Sequence, residues 1–156
     1  METESVKYCT FEAAGRLFGV PLIDIKEITA ETNYTCIPHA PECVSGYVNI
    51  RGNIILGLDL KRILALPAKE EDVSKRMVIF KSTVGPAFGL LVDEIGEIVS
   101  VSSQDITSDS TSIGSELQGL SGLVQNICRL PNQLLVVLNP RKFLPIIEKE
   151  LYQPSR

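Results

Sequence analysis

The sequence predicts a mainly β protein: two tandem, small, five-stranded β-barrels with short helices, one of them at the C-terminus. Three observations predict it. An internal repeat divides the chain into two units. Short β-prone runs separated by turn signals fill each unit. The length, 156 residues, suits one ordinary domain that buries a core without disulfide staples.

The repeat is direct. Phe18–Ile28 lies on Phe88–Ile98 without a gap, at an offset of seventy, with Phe, Gly, Ile, Glu and Ile coinciding at five of eleven places. Ser45-Gly46-Tyr47-Val48 is echoed by Ser121-Gly122-Leu123-Val124, and Asp59–Leu64 by Asn139–Leu144. The echoes keep their order, which marks two copies of one structural unit. The units are placed at about 6–66 and 76–151, as one domain of two pseudo-repeated barrels.

Each element has a local reason. Val6–Phe11 and Leu17–Val20 are β-prone and flank the turn signal Ala14-Gly15. Tyr47–Ile50 and Ile54–Leu58 are β-rich runs joined by the tight loop Arg51-Gly52-Asn53, a hairpin signal. Asp59 is placed to N-cap a short helix through Leu64. Pro67–Lys75 is polar and reads as the linker. In the second unit Met77–Phe80, Phe88–Val92, Ile95–Val101, Leu123–Ile127 and Leu134–Leu138 read as strands. Ser102–Ser115, rich in Ser, Thr and Asp, reads as a solvated loop with room for one helical turn. Asn139 repeats the N-cap, Pro140 suits the first helical position, and the helix runs to about Tyr152 before Pro154.

Composition narrows function. Fifteen basic residues against nineteen acidic ones leave a net charge of −4, which argues against a general nucleic-acid binder. Only nine aromatic residues, with no paired stacking motif, argue against an oligonucleotide-binding barrel. No apolar run reaches the ~18 residues of a membrane span, and the acidic N-terminus does not resemble a signal peptide, so a cytoplasmic protein without direct membrane insertion is expected. The four cysteines lack CxxC spacing and read as reduced thiols, partly buried.

Catalytic and metal constellations are weak. Cys36, His39 and Cys43 lie within eight residues, but Pro38 and Pro41 flank the single histidine and no second cluster completes a tetrahedral metal site. The segment reads as a surface turn with incidental thiols. Glu27 and Glu97 occupy matching repeat positions and read as solvent-facing strand residues rather than an acid–base pair. No phosphate-binding glycine motif is present. Asn49-Ile50-Arg51-Gly52 differs from these: it projects a guanidinium from a rigid hairpin, an arrangement suited to bidentate bonds with a partner carboxylate.

That stretch completes a resemblance. From about Val6 to Leu144 the chain resembles the CheW family of bacterial chemotaxis coupling proteins. Ile25-Lys26-Glu27-Ile28 is similar to the family's V-x-E-I segment. Ile37-Pro38-x-x-Pro41, followed by Val44-x-Gly46-Tyr47-Val48-Asn49-Ile50-Arg51-Gly52, resembles its most recognisable stretch, ending in N-[LI]-R-G. Asp59-Leu60, Phe88–Asp93, Gly122-Leu123 and Leu134–Asn139 follow in register. The chain departs from the family at Leu56, where proline is frequent, and Gly57 within the strand signals a bulge or close backbone approach. No receiver domain follows at the C-terminus, so the fused type of coupling protein is not expected.

The resemblance implies a double-barrel adaptor, not an enzyme, with no cofactor and no metal. Its implied partners are the cytoplasmic tip of chemoreceptors and the regulatory domain of the histidine kinase CheA, with self-association in rings a further expectation. It implies a location at receptor arrays on the inner membrane face. The receptor site implied by motif comprises Ile25, Glu27, Ile28, Asn49, Ile50, Arg51, Gly52, Leu90, Val92 and Asp93. The alternative is a CheW-like adaptor of a related non-flagellar array, serving pilus motility or surface sensing.

Overall fold

The computed structural model describes residues 5–65, 75–107 and 122–152. Among these the strands are β1 (Ser5–Ala13), β2 (Arg16–Pro21), β3 (Ile25–Thr29), β4 (Val44–Ile50), β5 (Asn53–Asp59), β6 (Arg76–Phe80), β7 (Phe88–Val92), β8 (Glu94–Ser102), β9 (Ile106–Thr107), β10 (Val124–Arg129) and β11 (Leu134–Leu138). Helix α1 is Leu60–Ile63 and α2 is Phe143–Tyr152. Both N-caps act as expected: Asp59 accepts from the Lys61 amide, and Asn139 from the Arg141 amide with Pro140 beside it. The expected linker at 67–74, the Ser/Thr-rich stretch at 108–115 and Pro154 lie outside the described residues. The head of that stretch does hold one helical turn, Ser103–Asp105. Strands β3 and β9 were not read from the local pattern.

The fold is mainly β, with two sheets, few helices and a helix near the C-terminus. One sheet has the order β8-β1-β2-β11-β10-β9 and the other β3-β6-β7-β5-β4. Each curls until its edges meet. The chain leaving edge strand β3 bridges the opposite edge strand through Thr35 and Tyr47. The chain leaving edge strand β8 does the same through β9, which pairs with β10.

The barrel boundaries expected at 6–66 and 76–151 are corrected here, because the two repeats exchange strands. The first sheet takes β1 and β2 from the first repeat and β8, β10 and β11 from the second; the other sheet takes the converse set. The register obeys the repeat. Ile25 pairs with Phe80 and Ile28 with Val78, across a bulge. Their counterparts Ile95 and Ile98 pair with Phe11 and Cys9, again across a bulge. Likewise β5 runs parallel to β7, and β11 parallel to β2. The two crossings differ locally. Pro21 ends β2 and the 3-10 turn Leu22–Asp24 carries the chain over to β3, whereas Asp93 alone separates β7 from β8.

Three apolar clusters follow. A shared core joins the sheets: Phe11, Phe18 and Val20 from one meet Phe80, Phe88 and Leu90 from the other, roofed by Phe143 and Ile147. Strands β6, β7 and β11 are buried on both faces. Their alternate residues therefore fill the barrel interiors, with Met77, Ile79 and Leu91 in one and Leu135 and Val137 in the other. Each fully buried aliphatic or aromatic side chain contributes about 1.5–3 kcal/mol.

Two ion pairs clasp the exchange at matching places. Lys61, almost wholly buried at the start of α1, sets its Nζ 2.8 Å from Asp93 Oδ1 between β7 and β8. Arg141, at the start of the last helical segment, forks onto buried Asp24 between β2 and β3, at 3.0 and 3.1 Å. Each clasp joins one repeat to the other.

Candidate partner-docking site

The β4–β5 hairpin turns in two residues, Arg51 and Gly52, with φ of 50° and 86°. Two consecutive positive φ values define the I′ class of turn, which matches strand twist and favours Asn-Gly. The Gly52 amide donates to Asn49 Oδ1 at 2.9 Å, locking the turn from within. Ile50, beside it, is buried in the barrel interior and anchors the tip. Arginine in the left-handed region carries a backbone cost, and its side chain is 70% exposed, so packing does not explain it.

The guanidinium finds one carboxylate. Arg51 Nη2 lies 2.5 Å from Glu27 Oε1 on β3. Strands β3 and β4 are the two edges of their sheet, so this pair spans the barrel seam. The hydrogen bond from Arg51 holds the Glu27 carboxyl below the usual glutamate range, and Glu27 in turn raises the guanidinium. With Glu27 lowered, the pair persists through neutral pH and is lost only as pH falls through that lowered pKa. The pair stands in water, and either member is free to exchange it for a partner's charge at small cost. Beside it on β3, Ile25 is half-buried and Ile28 is 38% exposed.

The structure thus brings Glu27 to Arg51, with Ile25 and Ile28 on the same strand and Asn49 and Gly52 in the same turn. Four expected contact residues are corrected. Leu90 and Val92 have no accessible surface, because both sides of β7 are covered. Asp93 is held by Lys61 and accepts from the Ala14 amide at 3.0 Å. Ile50 is 5% exposed and serves as an anchor. Two outward residues went unread: Tyr47 and Ile54, 47% and 55% exposed on the hairpin's outer face. The alternation of Tyr47 and Asn49 with buried Val48 and Ile50 was the available signal. Glu97 lies exposed on the other sheet, remote in topology from Glu27. Cys36 is exposed while Cys43 is buried in the shared core, so the Cys36–Cys43 segment is only partly a surface turn. Among the described residues no group of three His, Cys, Asp or Glu side chains is placed to hold a metal ion.

Residues 7–148 match the family model described as the CheW-like domain. The chain belongs to the CheW-like family. A chemotaxis protein CheW of Rhizobium meliloti is 26% identical over 140 residues, covering 90% of this chain and 88% of that protein. A probable chemotaxis protein CheW of Rhizobium etli is 31% identical over 109 residues, covering 69% and 68%. The crystal structure of the scaffolding protein TtCheW from Thermoanaerobacter tengcongensis superposes with a TM-score of 0.74 at 25% identity, covering 86% of this chain and 89% of that one. The CheW-like match spans both sheets, and so includes the strand exchange and the hairpin tip. Among the described residues, no helix is long and apolar enough to cross a membrane.

Proposed function

We propose that this chain is a chemotaxis adaptor that holds the cytoplasmic tip of chemoreceptors and the regulatory domain of the histidine kinase CheA in a fixed relation. The reading involves no chemistry in the chain itself. Arg51 carries it: a guanidinium kept at a conformationally costly hairpin position, largely exposed, and among the described residues paired with one carboxylate across the barrel seam. A receptor helix would lay apolar residues along Ile25 and Ile28 and offer a carboxylate to Arg51, displacing or joining Glu27. The charge sets register and specificity more than raw affinity. Coupling then reflects different contacts in the kinase-on and kinase-off states. The working location is the receptor array at the inner membrane face.

The test is kinase autophosphorylation with receptor-bearing membranes, with and without this protein, as wild type and as Arg51→Glu. Stimulation by wild type that disappears in Arg51→Glu, with unchanged thermal melting, supports the reading. Equal stimulation by both forms removes Arg51 from the docking site. No stimulation with flagellar chemotaxis partners, but stimulation with those of a pilus or surface-sensing array, moves the adaptor to that array.

A further inference from the structure

An open bowl of about 370 Å3 lies next to the seam. Its floor is apolar: Ile55 and Ile79 from the barrel interior, Phe80 beside them and Ala87 at the margin. Its rim carries Lys26 and Lys81. Lys26 is the residue between Ile25 and Glu27, at the β3 bulge, so the bowl adjoins the Glu27–Arg51 pair along one strand. Lys81 follows Phe80 directly, at the end of β6.

The charges matter because the chain is acidic overall, with nineteen carboxylate side chains to fifteen basic ones. The described ion pairs place Arg51 on Glu27, Lys61 on Asp93, Arg62 on Asp59 and Glu42, Lys75 on Glu94 and Arg141 on Asp24. Lys26 and Lys81 are both exposed and belong to none of the described ion pairs. Two such ammonium groups over an apolar floor present complementarity to an apolar side chain flanked by carboxylates. The shape decides between occupants. A small amphiphile's site encloses most of its ligand, which an open bowl does not, whereas a side chain projecting from a helix needs only a floor and a rim.

We propose that this bowl is an anchor socket for the receptor helix, taking one of its large apolar side chains while carboxylates on either side of it pair with Lys26 and Lys81. This rests on the receptor-docking reading above and extends the docking site beyond the Arg51 seam onto β5 and β6. The partner segment is accordingly acidic and amphipathic, with carboxylates on two sides of one apolar anchor.

The test uses the full chain and a soluble receptor-tip fragment, with binding followed by calorimetry at two salt concentrations. Two variants probe the socket separately: Lys26→Glu/Lys81→Glu reverses the rim, and Ala87→Phe fills the bowl without changing charge. Arg51→Glu is the comparison. Support is wild-type binding that weakens with salt, with each socket variant losing tenfold or more while melting as wild type does. Wild-type affinity in both socket variants, with loss only in Arg51→Glu, overturns the socket and leaves the docking reading standing. No binding by wild type overturns both.

Discussion

Arg51 sits where the backbone favours asparagine or glycine, and its ion pair with Glu27 is exposed. Such a solvent-screened pair adds little to stability, no more than the left-handed conformation takes away. Arg51→Asn should therefore leave stability in urea at or slightly above wild type while removing receptor stimulation of the kinase. A clear fall in stability would assign Arg51 a structural duty instead. Lys61 is the opposite case. It is 4% exposed, and its removal leaves the largely buried Asp93 carboxylate without its cation. Lys61→Ala should cost roughly 3 kcal/mol by urea titration. Sequence reading separated these two cations only in part. The hairpin motif points to Arg51, but no local pattern marks Lys61, because its acid is thirty-two residues away and belongs to the other repeat.

At the level of elements, the β4–β5 hairpin was legible because both determinants are local: alternation along each strand and a basic-glycine turn. Its two glycines differ in kind. Gly52, at φ 86°, has open space around a would-be Cβ, so Gly52→Ala should cost about 1 kcal/mol through backbone strain alone. Gly46, at φ 151°, would drive a Cβ into the Thr35 carbonyl that closes the barrel seam. Gly46→Ala should cost roughly 2 kcal/mol or more and expose the Thr35 and Tyr47 amides to faster hydrogen exchange. Similar losses for the two variants would mean that the seam closes loosely. Strand β3 was hidden for the contrary reason: five residues with mixed polarity give a faint period, and only its repeat partner Ile95–Val101 marks it. The motif sets Leu90 and Val92 among the receptor contacts because a motif records which residues recur, while burial depends on what covers them. An all-apolar run such as Phe88–Val92 is the mark of a strand covered on both faces.

For the whole molecule, the repeat was readable but its partition was not. Sequence similarity identifies equivalent strands and is silent on whether each pairs within its own copy or with the other. Since β1 and β2 pair only with second-repeat strands beyond their own hairpin, residues 1–70 and 71–156 should each lack a cooperative melt alone. Mixed in equal amounts, they should regain one. A cooperative melt of either fragment alone would contradict the pairing. The same exchange has a mechanical consequence. Two beads on a flexible string would absorb a push at one end as bending between them. Here a displacement applied to β3 is carried along the backbone to β2, which lies in the other sheet, and Arg141 grips the turn between them. The exchange opposes bending between the sheets, so a small shift at one face should be delivered to the other as through a stiff coupling rod, not lost as at a hinge.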